Sequence, residues 1–459
     1  MTAYYIDGTL GLEANDGLSS GAPKLYWSDD IGRADGDEVN LAKGTTILLT
    51  VLNSITGNYT VQSYGTGAKP IVRVPHYDTA HIFCNAAAKG PIVTVRGIRF
   101  EATIEGAGIP MGSIGGETMV IEDCEFVGPQ QHGIRLGWGD NSIVRRNLID
   151  GALNSGIYVG TTGQVAPSYG EISDNTVNVP ASNNDGIVLH DGSAGGGVGF
   201  KILRNRVYAG IENCIDIAVT YSGTQIIGNY CEAGPLSGTS LSGNSLISWS
   251  TPATVKRNTM VSIRTSCMSL LVTGASGSVI DGNLCFGPYE TMPASAGGQI
   301  VRHAVADINV TYTNNTFIGR ATSGVGSSMF GFSTKTTSMV FKNNVVIKPT
   351  GDPYGALFWT GGAGPVGTLD YNHYVMPATG TAQYCSKTFS AFKTAFSCDA
   401  HSTETTTSPI DDDGFPLADS AILNAGVHLG PATDLAGMHR YIPPTIGARE
   451  WIPARARTR

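Results

Sequence analysis

Charge is what this sequence has least of. Asp, Glu, Lys and Arg make up 14% of the chain, and the basic residues stand singly, so no stripe can neutralise consecutive phosphates. With a net charge of -8 as well, nucleic acid is excluded as a partner. No stretch approaches the roughly 18 apolar residues that a membrane span needs. The opening MTAYYIDGT has neither the basic nor the apolar region of a signal peptide. Eight cysteines in 459 residues are too few for a disulfide scaffold. Cys231 and Cys285 fall where strand alternation points inward, as small buried hydrophobes. Cys385 and Cys398, bracketing a short polar segment, are the pair that a bridge would join. Long helical periodicity is also missing. What remains is 41% apolar residues and 60 glycines, the composition of an ordered, turn-rich chain.

A motif of the form apolar-x-x-Asn-x-apolar fills the middle of the chain. It reads VRRN at Asn147, ISDN at Asn175, ILRN at Asn205, IIGN at Asn229 and VKRN at Asn258. IDGN at Asn283, YTNN at Asn315, FKNN at Asn344 and LDYN at Asn372 continue it. Successive spacings run from 24 to 32 residues. Two earlier segments, VRG at Gly97 and IEDC at Cys124, fit the register without asparagine. Such a period, built of β-branched runs broken by Gly and Asn and without heptads, means one coil of short parallel strands per repeat. The expected fold is all-β: a right-handed, single-stranded parallel β-helix of about eleven coils. The asparagines are expected to stack as a structural ladder at tight turns that tolerate a left-handed backbone.

A second element precedes each asparagine turn by about half a coil: HGIRL at 132–136, SGIYV at 155–159, DGIVL at 185–189, NCIDI at 213–217 and SLISW at 245–249. Its third and fifth residues face the core and its fourth faces solvent. The outward row is therefore Arg135, Tyr158, Val188, Asp216 and Ser248. Residues 1–75 lack the register and are expected to cap the N-terminal end, 76–375 to form the helix, and 376–459 to form a C-terminal cap with a short helix at KTFSAFKTAFSC.

Three stretches resemble the secreted and phage-borne right-handed β-helix proteins, which include pectate-lyase-like and alginate-lyase-like enzymes. YYIDGTLGLEANDGLS resembles their entry segment, with Glu13 where Asp is usual. FSAFKTAFSCDAHST resembles the helix and D-x-H-S that follow their last coil, and SAILNAGVHLGPATDLAGMHRYIPPTIGARE resembles their closing segment. The resemblance implies a polysaccharide partner and an extracellular or virion-associated location. A tailspike of that kind would be a homotrimer. The mannuronan epimerase signature and the polygalacturonase motifs are absent.

The outward residues of the coils from 132 to 220 carry the candidate chemistry. Asp216 stands mid-strand, where Asp is disfavoured, with His190 expected as its diagonal neighbour. With Asp185, Asp191 or Glu212 it supplies the two carboxylates of glycoside hydrolysis, one protonated and one ionised. This makes a polysaccharide-cleaving hydrolase the leading expectation. The same row supports elimination in a uronate polymer, with Arg135 neutralising the carboxylate and Tyr158 or His190 as base. No cofactor is required, although Asp185, Asp191 and Asp216 together offer oxygen ligands suited to Ca²⁺. His132, Trp138 and Trp249 complete the expected substrate contacts, the indoles by stacking on sugar rings. A non-catalytic, glycan-binding or structural spike is the third reading. The glycine-rich GSAGGGVG at 192–199 has no following Lys-Ser or Lys-Thr and is a loop.

Overall fold

The computed structural model describes residues 1–450 except 28–33, 49–52, 56, 75–81, 85–89, 103–110, 114, 161–165, 181–184, 191–195, 210–212, 218–220, 234–244, 264–265, 271–272, 288–298, 304–308, 321–327, 333–337, 349–355, 360–366, 379–383 and 430–432. Each coil runs through three short parallel strands, and stacked coils give three parallel sheets. In chain order the first coil is Asp37–Ala42 in sheet 1, Thr46–Leu48 in sheet 2 and Asn53–Ile55 in sheet 3.

The chain divides into two compact units, residues 1–211 with 215–222, and residues 212–214 with 223 onward. Among the described residues the first has seven coils of three strands, the last being Lys201–Leu203, Arg206–Ala209 and Ile215–Ile217. The second has five, from Thr224–Ile227 to Ala356–Trp359. The expectation of about eleven is slightly short because the earliest coils carry no asparagine. Residues 1–75 hold such coils as well as the lid. Strand Ala3–Ile6 pairs with Asp37–Ala42, which pairs in turn with Tyr59–Tyr64.

In the first unit every sheet sends apolar columns inward. Val95, Ile121, Val144, Ile172 and Ile202 come from sheet 1. Phe100, Phe126, Ile149, Val177 and Val207 come from sheet 2, and Ile134, Ile157, Ile187 and Ile215 from sheet 3. All are fully buried. β-Branched side chains dominate because parallel strands stack identical positions, and branched chains interlock there with little rotamer loss. The second unit fills its interior with larger rings. Phe317, Phe330, Phe341 and Phe358 form one continuous aromatic cluster, with neighbouring centroids 5.0–6.3 Å apart.

The asparagines do form a ladder, but they are not themselves the left-handed residues. That conformation belongs to the preceding residue: Asp123, Arg146, Asp174 and Arg204 in the first unit, Arg257, Asn314, Asn343 and Tyr371 in the second. The asparagine side chain turns inward instead. Asn147 donates from its backbone N–H and its Nδ2, both at 3.0 Å, to Oδ1 of Asn175, which donates likewise to Asn205. In the second unit the same bonds join Asn229, Asn258, Asn283, Asn315, Asn344 and Asn372.

That second run ends on the D-x-H-S stretch. Asp399, fully buried, accepts from Asn372 Nδ2 and from the Tyr374 hydroxyl, while Ser402 Oγ accepts from the Asn372 N–H. The helix Phe389–Phe396 follows the sequence expectation. Thr388 caps it, and Phe392 stacks on Phe358 with ring centroids 6.2 Å apart, closing the end of the core. In the closing segment, Arg440 is buried with Glu450 at 3.1 Å and donates to the carbonyls of Thr445 and Gly447. Ile410, Ile422, Ile446 and Ala448 pack on Leu284, Ile318 and Val345, which covers the outer face of sheet 2. No disulfide joins Cys385 and Cys398, so the expected bridge is not made.

Candidate functional site

The site begins with a glycine. In sheet 3 of the first unit, Gly133 and Gly156 lie where an added Cβ would strike the core. At Gly156 it would meet Val177 Cγ1 at 2.2 Å and the Gly186 carbonyl oxygen at 2.8 Å. The HGI and SGI triplets thus draw the strand tightly onto sheet 2. The following residues then alternate strictly, and the fourth position points outward. Register places Arg135 beside Tyr158, Tyr158 beside Val188, and Val188 beside Asp216.

On this face four side chains come together. The Tyr158 ring lies between two imidazoles, with the His132 centroid at 4.9 Å and that of His190 at 5.2 Å. The Arg135 guanidinium carbon stands 5.6 Å from the same ring's centre, within cation–π range. His132 is 8% exposed, and its Nδ1 is buried with no hydrogen-bond partner among the described residues. Burial, helped by the positive charge of Arg135, pushes its pKa down to about 4, so it is neutral at pH 7. Burial also raises the Tyr158 phenol, which keeps its proton. His190 is exposed. The arrangement offers one cation, one phenolic proton donor and one accessible imidazole on a single outward face.

The other expected site residues fare differently. Asp216 is half-buried on the same row, one strand beyond Val188. Asp185 is half-buried at the entry of its strand, where its carbonyl accepts from the Gly156 N–H at 3.3 Å. Asp191 and Glu212 lie outside the described residues. Trp138 is half-buried just beyond the strand that carries Arg135, its backbone N–H on the Gly115 carbonyl at 2.9 Å. Trp249 is no sugar platform: it is the fifth, inward residue of its strand, fully buried, and its indole N–H donates to Ser278 Oγ at 2.9 Å. Among the described residues no three His, Cys, Asp or Glu side chains are grouped to hold a metal.

Residues 80–231 match a family model described as a right handed beta helix region. Both units are right-handed parallel β-helices. The chain matches no curated protein. Among solved structures, the A-module of the Azotobacter vinelandii mannuronan C-5 epimerase AlgE6 aligns at TM-score 0.52 and 15% identity, over 75% of this chain and 92% of that one. XylC in complex with xylose aligns at TM-score 0.50 and 11% identity, over 98% of each chain. Pectate lyase Pel9A aligns at TM-score 0.45 and 16% identity, over 98% of this chain and 97% of its own.

Proposed function

We propose that the protein cleaves a uronate-containing polysaccharide by β-elimination on the outward face of sheet 3 in the first unit. The observation that carries this is the juxtaposition of Arg135, Tyr158 and His190. Elimination needs the uronate carboxylate neutralised so that the adjacent C5–H becomes acidic, a base for that proton, and an acid for the leaving oxygen. Arg135 supplies the first. His190 takes the C5 proton. The electron pair forms the C4–C5 double bond as the C4–O bond breaks, and the Tyr158 hydroxyl donates its proton to the departing oxygen. Neutral His132 buttresses the phenol without opposing Arg135. A fold neighbour named as a mannuronan C-5 epimerase supports a uronate polymer as the substrate class.

Hydrolysis remains the competing chemistry because Asp216 shares the row. One incubation separates the two. With a panel of neutral and uronate polysaccharides, reducing ends and the ultraviolet absorbance of an unsaturated uronate are followed together. Elimination gives both signals on a uronate polymer, and both disappear in Arg135→Ala. Reducing ends without absorbance, abolished by Asp216→Asn, would overturn elimination in favour of a hydrolase. Saturable oligosaccharide binding with neither signal would leave a non-catalytic glycan-binding shaft.

A further inference from the structure

A cavity of about 630 Å³ opens in the second unit, in the C-terminal region and on elements the proposed reaction does not use. One wall is strand Thr403–Thr405 with the segment that follows it, giving Thr405, Thr406, Thr407, Ser408 and Pro409. The other is 417–421, giving Leu417, Asp419 and Ser420 between alanines. His373 forms the floor. Its Nδ1 lies 2.7 Å from Thr403 Oγ1 and its Nε2 3.3 Å from Thr405 Oγ1, so the ring is fixed by hydrogen bonds at both nitrogens and is not a reactive group. The volume falls within the roughly 300–1,000 Å³ of small-molecule sites.

The lining selects a ligand class by what it offers. The hydroxyls of Thr406, Thr407 and Ser420 can donate to a ligand, those of Thr405 and Ser408 being engaged on the carbonyls of Thr407 and Ile410, and one carboxylate is available to bridge neighbouring hydroxyls of a ligand. Among the described residues no Lys or Arg lines the cavity to balance a carboxylate or phosphate, and Asp419 repels one. Among the described residues no Phe, Tyr or Trp lines it to stack on a planar ring. Pro409, Leu417 and the alanines give short apolar surfaces of the size of sugar C–H faces. We infer that this cavity is a binding site for a neutral saccharide of one or two residues, separate from the outward row of the first unit.

The test is calorimetric titration of the full chain with maltose, lactose, cellobiose and digalacturonate, alongside Ala421→Trp, which fills the cavity from an exposed position, and Asp419→Asn. At least one neutral disaccharide is expected to bind saturably. Its affinity should fall tenfold or more in Ala421→Trp and about threefold or more in Asp419→Asn, with unchanged melting temperature and unchanged cleavage of the polymer. No binding of any neutral sugar, or binding that Ala421→Trp leaves intact, would overturn the site. Digalacturonate binding that Ala421→Trp weakens would overturn the neutral class. Loss of cleavage in Arg135→Ala bears only on the first unit's reaction, so the two readings stand or fall separately.

Discussion

At Gly156 a single methyl group has nowhere to go. Overpacking against Val177 and the Gly186 carbonyl should make Gly156→Ala cost about 1–3 kcal/mol, read as a lower denaturation midpoint. An unchanged midpoint would mean that the strand can lift off sheet 2. At Arg135 the expectation concerns rate. Removing the cation that neutralises the substrate should reduce kcat on a uronate polymer by about 10²–10³-fold, whereas Tyr158→Phe should slow release of the leaving sugar with little change in KM. Three buried histidines tie stability to pH. Burial lowers His132 and His373 from 6.5 to about 4, and His303 to about 3. Between those values and 6.5 the unfolded chain binds the extra protons, so stability is complete above pH 6.5 and is lost as pH falls toward 3–4. Urea midpoints at pH 7.5 and pH 5 check this, and equal midpoints would refute it. In the sequence, the outward positions of Arg135, Tyr158 and His190 were legible from strand alternation. Their convergence was not, because the stacking of His132, Tyr158 and His190 depends on side-chain rotamers across three coils, which a period does not encode.

The elements that repeat from coil to coil explain which parts of the sequence spoke clearly. An amide that donates to one neighbour and accepts from another has few substitutes, so asparagine recurs visibly at Asn258 and Asn283. Asn283→Ala would leave the Asn258 backbone N–H and one of its two Nδ2 hydrogens buried without an acceptor, the other staying on the Ile226 carbonyl. A loss of about 2–3 kcal/mol is expected, and fast hydrogen exchange at the Asn258 and Asn283 amides would localise it. The left-handed column one residue earlier was missed as such because so many residue types occupy it. There the first unit alternates sign: Asp123 with Arg146, both side-chain bonds at 2.8 Å, then Asp174 with Arg204 at 2.7–2.8 Å. Stacked turns bring equivalent side chains close together, so like charges would repel. Arg146→Asp should lower the melting temperature more at 20 mM than at 500 mM salt, by an amount corresponding to about 1 kcal/mol or less. Trp249 and the disulfide expectation failed for a common reason. Spacing places a residue on a strand or near a turn, but only packing decides whether an indole fills the core or two thiols meet.

For the molecule as a whole, the ends matter more than the middle. A solenoid's stability is close to a sum of neighbour terms, so an open end exposes both core and strand edges. In the second unit that end is filled by Phe392 against Phe358 and Tyr384. Phe392→Ala should cost about 3–5 kcal/mol, and exchange should quicken first in the strands around Phe358 and His373–Val375. Of the motifs that resemble a known group, Asp399 and Ser402 beneath Asn372 proved to be such a closure, and the segment of Arg440 and Glu450 a cover for the outer face of sheet 2. That is why they announced architecture rather than chemistry. The ladder above Asp399 also has a grammar. Within each unit's run an asparagine gives to the next asparagine toward the C-terminus, returns its second amide hydrogen to a carbonyl of an earlier coil and receives on its oxygen from the asparagine before it, so each interior rung is interchangeable with the next, and only the last must be a residue that receives without passing the bond on. A gene that duplicates or deletes one whole coil therefore leaves no orphaned amide behind, and a protein of this kind can change length in steps of one coil while its terminus stays the same.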